Sequence, residues 1–195
     1  MIAKLLSFCF FVLLSIINIT LIAQTPEQDE STYEKWEYIL EDSGDILMIA
    51  LSAAGLTTLF KKDLEGTKQF ALSFGTGFIV THNLKLIIKK QRPEGRNLYD
   101  SFPSGHTSSA FSGASFIQRR YGWEYGKWAY VLAGIVGLSR MEGSDGWHDH
   151  WDVLAGAIVG IGSTYIFTKP YEEQKIKLNF ATNDETHLLS LRYKF

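Results

Sequence analysis

The stretch 102-FPSGHTSSAFSGASF-116 decides how the chain is read. Pro103 stands where prolines open helices, because the N–H it lacks has no helical partner there anyway. Ser104 and Gly105 follow in the first turn, where backbone N–H groups point outward unpaired. Such a turn binds anions, and glycine lets a phosphate come close to the backbone. Ser104 offers one more donor, and His106 is held at the rim of the anion site. Ser108, Ser109 and Ser112 read as packing residues. A capped helix with a surface histidine explains this stretch equally well when it is taken alone.

On either side lie apolar segments of helical period and length: 45–60, 68–88, 128–140 and 152–168, with 104–118 between them. A further amphipathic segment covers 30–43, with Tyr33, Trp36, Tyr38, Ile39 and Leu40 roughly on one side. The breaks KKDLEG, RPEGRNLYDSFP, RRYGWEYGK and MEGSDGW carry glycine, proline or charge. The expectation is an all-α bundle of about five core helices over 45–170. At the end, KIKLNF and LLSLRYKF alternate around TNDE, which predicts a short C-terminal β-hairpin within 171–195 packed on the bundle.

An alternating bundle brings three clusters to one end. In KLIIKKQRP, Lys85 and Arg92 stand seven apart, two helical turns, and share a face before Pro93 stops the helix. In SRMEGSDGWHDHWD, Arg140 ends one helix, while His148 and Asp152 stand four apart at the start of the next. A carboxylate on one imidazole nitrogen fixes the tautomer and leaves the other nitrogen as a lone-pair nucleophile. The third cluster is the Ser104–Gly105–His106 turn. Each cluster alone also suits an ordinary helix end. Together they read as one phosphoryl-transfer site. Lys85, Arg92 and Arg140 neutralise the phosphoryl group, His148 attacks phosphorus, Asp152 orients it, and His106 protonates the departing alkoxide. This chemistry requires no metal and no other cofactor.

These blocks resemble the type 2 phosphatidic acid phosphatase / vanadium haloperoxidase superfamily. Its pattern is a lysine, six residues and Arg-Pro; then Pro-Ser-Gly-His; then Ser-Arg, five residues, His, three residues and Asp. Lys85 to Arg92-Pro93 fits the first block, and Pro103-Ser104-Gly105-His106 fits the second. Ser139-Arg140, His148 and Asp152 fit the third, with seven residues rather than five between Arg140 and His148. The two extra residues fall in EGSDG, a loop able to bulge without moving either helix. The resemblance covers 45–168. It implies an all-α core and a phosphohistidine on His148. It also implies substrates from phospholipids and isoprenoid pyrophosphates to small phosphate esters.

Outside the core, MIAK followed by 19 uncharged residues (5–23) reads as an export signal ending near Ala23 or Gln24, or as an N-terminal membrane anchor. Residues 25–44 form a lead-in. Both readings place the core in the periplasm or in the inner membrane of a bacterial envelope, with the active site facing the periplasm. Mean hydropathy of −0.02 leaves a soluble bundle and a compact membrane bundle both open. The net charge of −2 gives no footprint for nucleic acid, and the lone Cys9 excludes an intrachain disulfide. Three other readings stand beside the phosphatase. One is a metal-dependent hydrolase built on His148-x-His150-x-Asp152. The others are a vanadate-dependent haloperoxidase and a non-catalytic envelope protein.

Overall fold

The computed structural model describes residues 35–93, 97–142, 147–171, 176–183 and 186–193, the last two runs by their backbone. The signal or anchor expected over 1–24, and the lead-in before Lys35, lie outside the described residues. Helix α1 (Lys35–Ser52) runs through Gly44 without interruption. Ser43-Gly44-Asp45 looks like a break in the sequence, yet Gly44 is buried against a neighbouring helix. That packing outweighs the roughly 1 kcal/mol a mid-helix glycine costs. A 3-10 turn, Ala53–Gly55, and the short α2 (Leu56–Phe60) continue the chain.

Local chemistry sets the later boundaries. The Asp63 carboxylate accepts from the Gly66 N–H at 2.9 Å and starts α3 (Leu64–Ile88), which closes on Lys89 in a left-handed conformation. Helix α4 (Gly105–Tyr121) starts on Ser104 and stops at Gly122, whose φ of 94° suits glycine. Helix α5 (Trp123–Glu142) starts at once, so RRYGWEYGK, expected as a break, is nearly all helical. Asp149 caps α6 (His150–Phe167) by accepting from the Trp151 and Asp152 N–H groups, while the Asp152 carboxylate accepts from the Asp149 N–H.

The core is all-α, and α4 is its axle. It packs against α1, α3, α5 and α6, and ten of its 17 residues are buried. Its small side chains permit this crowding. A Cβ on Gly160 of α6 would stand 2.3 Å from the Ser108 carbonyl oxygen, and one on Gly156 would stand 2.5 Å from that of Ser104. Glycines four apart thus let the two backbones touch.

An apolar cluster of Leu47, Leu51, Ala110, Ala114, Ala129, Ala133 and Val136 shares the interior with many buried hydroxyls, while much of the exterior is apolar. Thr81 donates to Ser108 at 3.0 Å, and Thr164 donates to the Ser112 carbonyl at 3.2 Å. Ser73 and Thr168 meet at 3.0 Å. Outside, Leu72, Phe78, Ile79, Leu86 and Ile87 of α3 and Leu154, Ile158 and Ile166 of α6 are exposed. Two helical stretches, Lys35–Phe60 and Leu64–Ile88, are long and apolar enough to cross a membrane.

At the end of the bundle away from the α4 N-terminus, Arg120 grips Asp63 through two N–H groups at 2.6 and 2.8 Å. It also donates to the Lys169 and Pro170 carbonyls at 3.0 and 3.2 Å. This ties the start of α3 and the end of α4 to the chain leaving α6. Beyond it, β1 (Ile176–Asn183) and β2 (Thr186–Tyr193) pair antiparallel, with Leu178 opposite Leu191 and Phe180 opposite Leu189.

Candidate active site

The site forms where α3 and α5 end and α4 and α6 begin. The Ser104 N–H donates to the Asp152 carbonyl at 2.9 Å, which joins the two helix starts. Ser101 N–H donates to the Lys90 carbonyl at 3.0 Å, and Arg92 N–H to the Leu98 carbonyl at 2.9 Å, which folds the α3–α4 connection back over them.

Asp152 is fully buried and takes most of the donors. Ser101 Oγ donates to it at 2.5 Å, Lys90 Nζ at 2.8 Å and the Asp149 N–H at 3.1 Å. Its Oδ2 lies 3.6 Å from His148 Nδ1. Converging donors and a cation favour the ionised carboxylate. His148 is buried too, and burial pushes its imidazole below the ordinary range although Asp152 pulls the other way. The ring is therefore neutral near pH 7. With Nδ1 turned to Asp152, Nε2 carries the free lone pair.

The Ser104–Gly105–His106 turn begins α4. Ser104 is buried, and its hydroxyl accepts from the Thr107 N–H at 3.4 Å and the Thr107 hydroxyl at 3.0 Å. It therefore serves first as the helix cap, with its own proton left to donate. Apart from its own turn of chain, no described residue comes within 4 Å of where a Gly105 Cβ would stand, so the space beside this first turn is open. His106 lies within electrostatic reach of Arg140, His148 and Lys85.

The three expected cations arrive already engaged. Lys85 donates to the Asp100 carbonyl. Arg92 holds both Asp100 oxygens, at 2.8 and 3.1 Å, and stacks 4.5 Å over the Trp147 ring. That grip holds the Asp100 carboxyl below the usual carboxylate range. Arg140 is buried, donates to the Glu41 carbonyl at 3.3 Å and lies 3.2 Å from Asp45. The His148 N–H donates to the Arg140 carbonyl at 3.0 Å. The longer spacing in the third block thus still brings Arg140 and His148 side by side.

All eight residues singled out in the sequence (Lys85, Arg92, Ser104, Gly105, His106, Arg140, His148 and Asp152) stand at this end of the bundle. Ser108 and Ser112 bond within the helix packing, as their small size suggests. His150 is exposed and leans on the Trp151 ring, 5.0 Å between centroids, so the His-x-His-x-Asp trio is not gathered. Among the described residues, no three His, Cys, Asp or Glu side chains stand close enough to hold a metal. Sequence reasoning missed Lys90, Asp100 and Ser101. Lys90 lies within the first block, but no spacing rule separates it from Lys89.

Comparison with known proteins gives the same picture. A family model, the PAP2 superfamily, matches residues 66–175, more than half of the chain. A lipid A 4'-phosphatase of Helicobacter pylori is 29% identical over 148 residues, covering 71% of this chain and 74% of that protein. A probable lipid phosphate phosphatase 4 of Arabidopsis thaliana is 38% identical over 117 residues, 49% of this chain and 34% of its own length. The crystal structure of Aquifex aeolicus LpxE superposes with a TM-score of 0.51 at 20% identity, over 71% of this chain and 98% of that one.

Proposed function

The chain belongs to the PAP2 superfamily and is a phosphatase of that kind; from that premise we propose that it dephosphorylates a membrane lipid through a phosphohistidine on His148. The observation that carries the proposal is the gathering of a buried His148, paired through Nδ1 with Asp152, with Lys85, Arg92 and Arg140 at the end of the bundle where α4 begins.

In this reading the phosphate monoester enters with its oxygens toward the first-turn N–H groups of α4 and the three cations. His148 Nε2 forms the P–N bond as the ester P–O bond breaks. The bonding pair goes to the leaving oxygen, which takes a proton from His106. Asp152 stabilises the positive charge that develops on the imidazole. Water then attacks phosphorus, His106 takes its proton, the P–N bond breaks and the electron pair returns to His148. Inorganic phosphate leaves from the cation ring, and lipid alcohol is the other product.

The lipid substrate is supported by the burial pattern. Large apolar side chains face outward on α3 and α6, where these helices pack on α4 through buried hydroxyls such as Thr81, Ser108, Ser112 and Thr164, which suits a hydrocarbon surrounding. The phosphatases of Helicobacter and Arabidopsis named above act, by their names, on lipid A and on lipid phosphates. A bacterial envelope location with the site facing the periplasm completes the proposal.

The test uses the full chain in detergent. Phosphate release is measured from p-nitrophenyl phosphate, phosphatidate, lipid A and an isoprenoid pyrophosphate, with and without EDTA and vanadate, and with His148→Ala. The expectation is vanadate-inhibited, EDTA-resistant release, highest on a lipid and abolished by His148→Ala. Activity lost to EDTA and restored by metal, or kept by His148→Ala, would sink the mechanism.

A further inference from the structure

The α1 helix precedes the residues matched by the family model, yet it enters the site. It approaches the end of α5 so closely that a Cβ on Gly44 would stand 1.9 Å from Ser139 Oγ. Only glycine allows that contact without movement. The consequence is that Glu41 and Asp45 reach the site. The Glu41 carbonyl accepts from Arg140, and its carboxylate accepts from Trp147 Nε1 at 3.0 Å.

Asp45 goes further. Its Oδ1 lies 3.5 Å from His106 Nε2 and 3.2 Å from Arg140 Nη1. That atom is shielded from water and, among the described residues, has no hydrogen-bond partner of good geometry, although its side chain as a whole is half exposed. A carboxylate oxygen sealed between a histidine and an arginine acts mainly through its charge. The charged and titratable groups facing His106 are Arg140 from α5, His148 from the α6 entry, Lys85 from α3 and Asp45 from α1. Burial, foremost, and the first three lower the pKa of His106, and Asp45 alone opposes them, so the net shift is downward.

We infer that Asp45 is a positioning residue of the phosphatase reaction: from α1 its carboxylate orients His106 and steadies the proton that the ring donates to the leaving alkoxide. The inference rests on the proposed role of His106 as general acid. Removing Asp45 leaves His106 buried among cations with nothing opposing the loss of its proton, so the acid form becomes rarer and protonation of the leaving oxygen slower. The defect is therefore selective. An alkyl phosphate, whose alkoxide is a strong base, needs the proton. p-Nitrophenyl phosphate, whose phenolate is a weak base, scarcely does.

The experiment compares wild type, Asp45→Asn and His106→Ala on a short-chain alkyl phosphate and on p-nitrophenyl phosphate, with thermal melts and vanadate inhibition of each. His106→Ala is expected to lose ~10²–10⁴-fold on the alkyl ester, and far less on the nitrophenyl ester. Asp45→Asn is expected to lose ~10–100-fold on the alkyl ester, a fraction of the full acid effect. Its loss on the nitrophenyl ester should be small, its basic pH limb should move to lower pH, and its melt and vanadate inhibition should match wild type. Asp45→Ala repeats the test should the asparagine variant melt early. Equal losses on both esters, or tighter vanadate inhibition with unimpaired turnover, would overturn the positioning role; the latter would make Asp45 a competitor for the phosphate site. His106→Ala without leaving-group dependence would refute the acid role itself, a failure separable from that of Asp45 alone.

Discussion

Replacing Asp152 by Asn puts the orientation of His148 to a direct test. The carboxylate accepts from Lys90 on Oδ1, and from Ser101 and the Asp149 N–H on Oδ2, which also faces His148 Nδ1. An amide has one accepting end. If its NH₂ faces Ser101, the Asp149 N–H and His148 Nδ1 meet a donor. If it is flipped, the NH₂ faces the Lys90 ammonium. Each orientation leaves at least one buried donor unsatisfied, which costs ~1–3 kcal/mol of stability. The kinetic loss is larger in the orientation that spares the Lys90 contact, because Nδ1 there meets the NH₂, loses its acceptor, and its proton moves to Nε2, where the attacking lone pair is needed. A loss of ~10²–10⁴ in kcat follows, or about 3–5 kcal/mol at about 1.4 kcal/mol per tenfold. The assay is steady-state release from p-nitrophenyl phosphate, whose leaving group does not depend on His106, alongside a thermal melt. A variant within threefold of wild type in kcat would refute the assignment of Asp152 as the residue that sets the His148 tautomer.

The pH profile follows from His148. It must be neutral to attack, and burial lowers its pKa, so activity survives acidification until pH falls through that lowered value. The acid limb of kcat/KM should lie below the ordinary imidazole value of about 6.5; a limb above it contradicts the burial argument. Arg120→Ala leaves Asp63 buried without its cation and should cost ~3–5 kcal/mol in denaturant or thermal unfolding. A cost under about 1 kcal/mol would mean the pair is not closed in solution. Gly160→Val forces atoms into the Ser108 carbonyl and should cost ~1–3 kcal/mol or more while separating α6 from α4. An unchanged melting temperature would contradict the close approach.

The motif spacing made the site legible, but not through a shared helix face. Arg92 lies past the end of α3 at Ile88, contrary to the expectation that Pro93 stops that helix, and His148 precedes the Asp149 cap of α6, so in both pairs one member is placed by a connection. Residues whose position depends on chain folding over long separations stayed hidden. Lys90 reaches Asp152 because the α3–α4 connection doubles back, and Ser101 does so through the same fold. Gly44 was misleading for a different reason. Ser-Gly-Asp is turn chemistry locally, but contact with Ser139 keeps the helix intact. The mean hydropathy was uninformative because hydroxyls inside offset apolar side chains outside, and an average does not register which side a residue faces.

The hydrogen bond from the His148 N–H to the Arg140 carbonyl has a consequence for how this chain tolerates change. It ties His148 directly to Arg140, so this histidine takes its coordinates from the start of α6 and from Arg140, not from the length of chain in between. Loop length there becomes a free variable. The surplus of two residues over the family spacing adds contour without displacing chemistry. The same direct tie leaves the number of residues between Glu142 and Trp147 open to change while the reaction stays untouched.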